Sequence, residues 1–167
     1  DWHLGVRLAD VAYWTPKDRT EVGRILLATL FKSLFDAGEV HGDPHPGNAY
    51  FHKSPTATPV VVLMDFGCTA PVREVQRMAL LKLILSLREG RNDMALRAFA
   101  GMGFDPVKLS AISESMPQLA EILMAPFLAN RAFTISEWRL KDRFEALMGE
   151  NRWWFRAAGA PVDILML

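Results

Sequence analysis

The chain has 167 residues, of which 50% are hydrophobic and 23% are charged, and its 19 basic and 19 acidic side chains cancel. This balance predicts one globular domain with a hydrophobic core, and it excludes a disordered chain and the basic surface of a nucleic-acid-binding protein. The single cysteine, Cys68, excludes an internal disulfide and a multi-thiolate zinc site, and we expect it to be a small buried apolar residue.

The first predicted element is a helix over Pro16–Ala37. Thr15 suits the N-cap, a proline is tolerated in the first helical turn, and Gly38 suits the position just after the helix. Apolar residues at helical spacing predict a buried stripe on this helix. The stripe consists of Leu27, Leu30, Phe31 and Leu34.

A loop rich in proline and glycine, "HGDPHPGN" at His41–Asn48, follows the helix. Two short β-like runs come next, Ala49–Phe51 and Val60–Met64, joined by "HKSPTATP". The prolines in this joint prevent either run from continuing, so the pattern predicts a β hairpin.

Everything after Gly67 is predicted to be helical. The predicted helices are Val72–Arg88, Asp93–Gly101, Pro106–Glu114, Pro117–Leu128 and Glu137–Met148, with Asp105, Ser115 and Ser136 as N-caps and Gly149 as a stop. The predicted fold is therefore mainly α with a small β hairpin, in a single domain over residues 1–167. No apolar run reaches the roughly 18 residues that a membrane-spanning helix requires.

The loop residues indicate a preset arrangement of oxygen ligands. Pro44 and Pro46 fix the backbone and hold the residues before them extended. Gly47 lets the chain turn, so we expect Asn48 to point back toward Asp43. A carboxylate and a carboxamide would then lie side by side on a stiff frame.

A second carboxylate, Asp65, follows the apolar run that ends at Met64. We expect Phe66 to anchor this strand end in the core while Gly67 redirects the chain. Two carboxylates and an amide oxygen on rigid elements suit Mg²⁺. The separation of five residues from Asp43 to Asn48, and of 17 more to Asp65, matches the order of a protein-kinase-like site.

The histidines around the loop have different expected roles. We expect His41 to brace the loop by hydrogen bonds, and His45 to contact phosphate or metal as a candidate catalytic residue. A zinc site built from His41, His45 and Asp43 is an alternative.

The segments "GEVHGDPHPGN" and "VLMDFG" resemble the UbiB family of atypical kinases, also called AarF-domain kinases. The resemblance implies a protein-kinase-like C-terminal lobe that binds ATP with Mg²⁺ and supports the biosynthesis of ubiquinone or related isoprenoid lipids. It also implies a peripheral location on the cytoplasmic side of a bacterial membrane or on an organellar membrane. By this resemblance Asp43 is the catalytic aspartate, Asn48 and Asp65 hold the metal, and Phe66 and Gly67 complete the cofactor-binding motif.

Other kinase features do not appear in the sequence. "GMGF" at Gly101 lacks the third glycine of a phosphate-binding loop, the family's lysine-x-glycine-glutamine segment is missing, and nothing before Pro16 predicts a nucleotide lobe. We therefore expect this chain to be a C-terminal lobe whose partner is the missing N-terminal kinase lobe. We expect the chain to be inactive without that lobe. Only "CTAP" separates Gly67 from the next helix. This short segment favours a small-molecule or lipid-precursor acceptor over a protein, or simple ATP hydrolysis coupled to lipid handling.

Two alternatives remain open. The pattern H-G-D-x-H-x-x-N is also that of aminoglycoside- and choline-kinase-like phosphotransferases. A non-catalytic, pseudokinase-like module could instead use the aromatic cluster Trp153–Phe155 as a membrane or partner surface. We expect this cluster to pack the C-terminal helices on the core.

Overall fold

The computed structural model describes residues 5–53, 57–131 and 133–159. These residues form two compact units, one up to Val72 and one from Arg73 onward. The secondary structure is mainly helical with a small antiparallel hairpin, which confirms the predicted fold class. That residues 1–167 make a single domain stays a prediction.

The first unit begins with helix α1 (Leu8–Val11) and helix α2 (Pro16–Lys32), which continues as a π-helical turn over Ser33–Ala37. The Thr15 hydroxyl oxygen accepts a hydrogen bond of 3.2 Å from the Asp18 N–H and so caps α2. Gly38 ends the helix in the left-handed conformation, with φ of 78°. The predicted helix bounds and both predicted end signals are confirmed.

The hairpin pairs strands β2 (Ala49–His52) and β3 (Val60–Leu63), with Ala49 opposite Leu63. Part of the joint between them lies outside the described residues. A second antiparallel pair joins β1 (Glu39–Val40) to β4 (Ala70–Pro71). This pair brings the segment after Gly67 back to the residues before the loop.

The core of the first unit forms where α2 meets the hairpin. Its buried residues are Val11, Val22, Ala49 and Phe51, packed with Trp14, Leu26, Val61 and Leu63. The predicted stripe is wrong in part. Leu34 is buried, but Leu27 and Leu30 are 56% and 42% exposed, because α2 turns its Val22 and Leu26 face to the hairpin instead.

The second unit is helical. Its helices are α3 (Glu74–Arg88), α4 (Ala95–Gly101), α5 (Pro106–Ser110), α6 (Met116–Leu128), α7 (Ile135–Trp138), α8 (Leu140–Met148) and α9 (Arg152–Ala158). The predicted helix Pro106–Glu114 is shorter, because α5 stops at Ser110 and a separate 3₁₀ turn follows at Ser113–Ser115. The predicted helix Glu137–Met148 is broken at Arg139, whose φ is 45°.

The predicted caps of the second unit have mixed outcomes. Asp105 accepts hydrogen bonds from the N–H groups of Val107 and Lys108, as predicted for an N-cap. Ser115 makes no capping hydrogen bond through its side chain, and Ser136 lies inside α7 rather than before it. Gly149 does end α8.

A large apolar cluster holds the second unit together. Leu83, Leu109, Met116, Leu119 and Ala120 are fully buried in it. The buried Gln76 at the start of α3 donates a hydrogen bond of 3.1 Å to the Met102 carbonyl at the end of α4. This bond satisfies a polar group inside the cluster.

The aromatic cluster near the end of the chain divides between core and surface. Phe155 packs against Phe99, Phe104 and Phe144, as expected. Trp153 and Trp154 are exposed, and the expectation that they pack on the core is wrong. The guanidinium groups of Arg152 and Arg156 lie over the Trp153 ring and make cation–π contacts with it. These contacts replace the apolar packing that the sequence predicts.

Within the described ranges, no helix combines the length and the apolar character needed to cross a bilayer.

Candidate functional site

The loop between β1 and β2 holds the side chain of Asn48 in hydrogen-bonding contact with that of Asp43. The side-chain Nδ2 of Asn48 donates to the Asp43 carboxylate over 2.9 Å and to the Asp43 backbone carbonyl over 3.2 Å. The prediction that Asn48 points back toward Asp43 is confirmed. Because the NH₂ group of the amide faces Asp43, the amide oxygen remains as a ligand atom.

His45 and Gly47 shape the turn that carries Asn48. The Asn48 N–H donates to the His45 carbonyl over 2.8 Å in a 3₁₀ turn over Pro46–Asn48. The His45 Nδ1 accepts from the Gly47 N–H over 3.0 Å. His45 is exposed, and its Nε2 is the ring nitrogen left for a phosphate; its catalytic role stays a prediction.

His41 braces the loop from the other side. Its Nε2 lies 2.9 Å from the Met64 carbonyl oxygen, and since a carbonyl only accepts, the proton must be on Nε2. The bracing role predicted for His41 is confirmed. Its Nδ1 is buried and has no hydrogen-bond partner in the described part of the chain.

Asp65 follows β3 in a left-handed conformation, with φ of 58°. Its Oδ1 accepts from the Gly67 N–H over 3.3 Å, a local bond that helps an aspartate to occupy this backbone region. The carboxylate is exposed. A non-glycine residue in this conformation, just after a strand that is only partly buried, is a feature that often marks functional sites.

Two expectations about the segment after Asp65 are wrong. Phe66 is 61% exposed and does not anchor the strand end in the core. The centroid of its ring lies 5.0 Å from the centroid of the His41 ring. Cys68 is exposed rather than buried. The cause is the turn at Asp65, which carries both residues into a 3₁₀ turn outside the strand.

The three predicted ligand residues are brought together to different degrees. Asp43 and Asn48 are in direct contact. Asp65 is joined to them through the backbone, because the Met64 N–H donates to the Asn48 carbonyl over 2.8 Å. That the carboxylate of Asp65 shares an ion with Asn48 stays a prediction.

The donor set fits Mg²⁺ better than zinc. In residues 5–53, 57–131 and 133–159, no group of three or more His, Cys, Asp or Glu side chains could hold a metal ion, so the alternative zinc site of His41, His45 and Asp43 does not form. An amide oxygen with one or two carboxylates supplies only hard oxygen ligands, and too few of them to fill an octahedral coordination shell. Mg²⁺ accepts such a set because it retains water or phosphate oxygens in its other positions.

A cavity of about 490 Å³ lies beside the loop, within the first unit. Its walls are mainly apolar, with a few polar side chains of the loop among them. They include Leu27 and Leu30 of α2, Phe51 and Leu63 of the hairpin, and Asp43 and Asn48. The sequence pattern does not indicate this cavity, since helical spacing alone predicts that Leu27 and Leu30 are buried in the core.

Arg7 is a further residue of the site that the sequence pattern does not indicate. The Arg7 guanidinium donates to the Gly47 carbonyl and to the Tyr50 hydroxyl, and lies 3.7 Å from the centroid of the Tyr50 ring. Arg7 and Gly47 are 40 positions apart, and no motif joins them, so no local signal in the sequence could have found this contact.

Comparison with known proteins gives one family. The model of the ABC1 atypical kinase-like domain matches residues 1–97, more than half of the chain. Over 70 residues the chain is 31% identical to an uncharacterized protein in the hydrogenase 1 5′ region of Clostridium pasteurianum, covering 42% of this chain and 12% of that protein. Over 63 residues it is 36% identical to the probable serine/threonine-protein kinase abkB of Dictyostelium discoideum, covering 37% of this chain and 9% of that protein. The chain thus spans about a tenth of the length of these curated relatives.

Proposed function

This chain belongs to the family of ABC1 atypical kinase-like domains, and from that premise we propose that it supplies the catalytic and metal-binding loops of a kinase-like phosphotransferase or ATPase that uses ATP and Mg²⁺. Its membership agrees with the resemblance of the loop and D-F-G segments to the UbiB and AarF-domain kinases. The observation that carries the proposal is the hydrogen bond of 2.9 Å between the Asn48 amide and the Asp43 carboxylate.

In this proposal Asp43 accepts the proton of the attacking hydroxyl, from an acceptor alcohol or from water. The bond from Asn48 keeps one carboxylate oxygen occupied and so orients the other toward the acceptor. The Asn48 amide oxygen and the Asp65 carboxylate would hold Mg²⁺. When bound, that ion neutralises the negative charge on the phosphate oxygens during transfer.

The remaining predicted residues have supporting roles. The Gly67 N–H holds one oxygen of Asp65 and leaves the other for the metal. His45 uses Nδ1 for the turn, and its Nε2, which makes no hydrogen bond to the described residues, is a candidate phosphate contact at the same loop. Phe66 flanks His41, whose bond to the Met64 carbonyl holds the loop against the end of β3.

We propose that the acceptor is a small or lipid-like alcohol rather than a protein. The segment after Gly67 pairs at once with β1 through Ala70 and Pro71, which leaves no long loop on which a peptide could dock. The mainly apolar cavity of about 490 Å³ that adjoins Asp43 has the size and character of a small-molecule site. A role in the biosynthesis of ubiquinone or related isoprenoid lipids, at a membrane surface and together with an N-terminal kinase lobe, follows from the family resemblance.

The proposal is tested on the longer protein that contains this chain. We expect Mg²⁺-dependent transfer or release of the ATP γ-phosphate, and loss of both when Asp43 is changed to Asn. Apolar alcohols and generic protein substrates should be compared as acceptors. Robust phosphorylation of Ser or Thr in the protein substrates would overturn the proposed acceptor class, and Mg²⁺-independent turnover would overturn the metal site.

A further inference from the structure

The Arg7 side chain contacts the chain on both sides of Asn48. One terminal nitrogen of its guanidinium donates to the carbonyl of Gly47, the residue before Asn48. The other donates to the hydroxyl of Tyr50, two residues after Asn48, and the planar group lies over the Tyr50 ring. Arginine suits this place because its planar, forked group can donate two hydrogen bonds while it stacks on an aromatic face.

The segment that carries Arg7 is itself fixed to the hairpin. Val6 exchanges two backbone hydrogen bonds of 2.9 Å with Phe51, which adds a short edge to β2. Gly5 permits this close approach, because its φ is 94° and a Cβ there would lie 2.5 Å from the Phe51 carbonyl oxygen. Arg7 is therefore held at a defined distance from the loop.

The peptide group between Gly47 and Asn48 is hydrogen-bonded at both ends. Its carbonyl accepts from Arg7, and its N–H donates to the His45 carbonyl over 2.8 Å. A peptide group held on both sides cannot rotate, and its orientation sets the direction of the Asn48 side chain. The preceding residue is a glycine, which would otherwise allow many orientations.

We propose that Arg7 is a positioning residue for the metal ligand Asn48, an inference that rests on the proposed function. Arg7 acts through the Gly47 carbonyl and does not itself touch metal or substrate. Loss of the guanidinium should release the peptide group, weaken the Asn48–Asp43 hydrogen bond and spread the amide oxygen over several directions.

The test uses the full chain and Mn²⁺ as the probe ion, with three readouts: Mn²⁺ affinity by electron paramagnetic resonance, exchange of the Asn48 side-chain amide protons by NMR, and thermal unfolding. In Arg7→Met we expect the Mn²⁺ affinity to fall about tenfold, as for other residues that orient a ligand. The Asn48 amide protons should exchange faster. Arg7→Lys should recover part of the affinity, because it can donate to one partner.

Arg24→Met is the matched control, since Arg24 is an exposed arginine of the same unit that pairs with Glu21 on α2. If Arg7→Met does not fold, Tyr50→Phe removes one of the two Arg7 acceptors and should give a smaller change of the same kind.

The outcomes separate this inference from the proposed function. Unchanged Mn²⁺ affinity in a folded Arg7→Met or Tyr50→Phe chain overturns the positioning role and leaves the metal site intact. Failure of the unaltered chain to bind Mn²⁺ overturns the metal site. In that case the positioning role of Arg7 is judged by the exchange rate of the Asn48 side-chain amide protons. An unchanged exchange rate in both Arg7→Met and Tyr50→Phe overturns that role.

Discussion

The backbone N–H of Met64 donates a hydrogen bond of 2.8 Å to the carbonyl of Asn48. This bond joins the loop that carries Asp43 and Asn48 to Met64, the residue between the end of β3 and Asp65. The pairing of Ala49 with Leu63 continues directly from it, so the hairpin register determines where Asp65 begins. A shift of the register by one residue would move Asp65 away from Asn48 and turn the strand faces over.

The bond from His41 to the Met64 carbonyl predicts a stability effect. Replacing His41 with Phe removes the donor of this exposed hydrogen bond, which should lower the free energy of unfolding by about 0.5–1.5 kcal/mol. Denaturant unfolding measures the change. His41→Gln places a donor at the end of a flexible side chain and should recover part of the loss. Equal stability of the Phe variant and the unaltered chain would show that the bond contributes nothing.

Two helical glycines predict opposite effects of the same substitution. At Gly23 in α2 an added Cβ meets no atom within 4 Å, so Gly23→Ala should stabilise the chain by up to about 1 kcal/mol through helix propensity. At Gly101 in α4 an added Cβ would lie 2.9 Å from the Cβ of Ala79 in α3. The two helices must then separate, and we expect a loss of about 1–3 kcal/mol.

The control for this pair is a compensating change. Ala79→Gly in the Gly101→Ala background removes the opposing methyl group and should restore part of the stability, beyond the cost of a glycine in α3. The free energy of unfolding of the double variant is compared with the value expected from adding the effects of the two single changes. If the double variant is no more stable than that value, the contact between α3 and α4 does not cause the loss of stability in Gly101→Ala.

The ion pair between Lys53 and Asp18 predicts a pH effect. The hydrogen bond from Lys53, with a second from the Thr15 hydroxyl, holds the pKa of Asp18 below its ordinary value. Because the pKa is lower in the folded chain than in the unfolded chain, the pair stabilises the fold above the unfolded pKa. This contribution disappears as the pH falls through the folded pKa.

NMR titration of the Asp18 carboxyl measures this pKa directly. Lys53→Met should raise the pKa of Asp18 toward its ordinary value, with a remaining depression from Thr15. Lys17→Met is the matched control, since Lys17 is the weakest of the causes that lower the pKa. Equal pKa values in the Lys53→Met variant and the unaltered chain would contradict the assignment.

The loop chemistry was predictable because it is local. Two prolines, a glycine and the spacing of five residues are enough to direct Asn48 back to Asp43, and all of these lie within one short segment. The hairpin was predictable for the same reason, since prolines and β-branched residues mark its strands and its joint.

Other features depend on contacts that are distant in sequence. Helix α2 has two overlapping apolar faces, and the hairpin decides that Val22 and Leu26 rather than Leu27 and Leu30 are buried. The exposure of Phe66 and Cys68 follows from the left-handed turn at Asp65, which an apolar pattern does not reveal. The Arg7 contact joins residues 40 positions apart.

The central claim is that Asn48 and Asp65 hold one divalent ion beside Asp43. Mn²⁺ titration of the chain, followed by electron paramagnetic resonance, tests it with Asp65→Asn and the matched control Asp36→Asn, another exposed aspartate of the first unit. We predict that Asp65→Asn lowers the Mn²⁺ affinity by at least about tenfold while Asp36→Asn leaves it unchanged. Equal Mn²⁺ affinity in the Asp65→Asn variant and the unaltered chain would contradict the account.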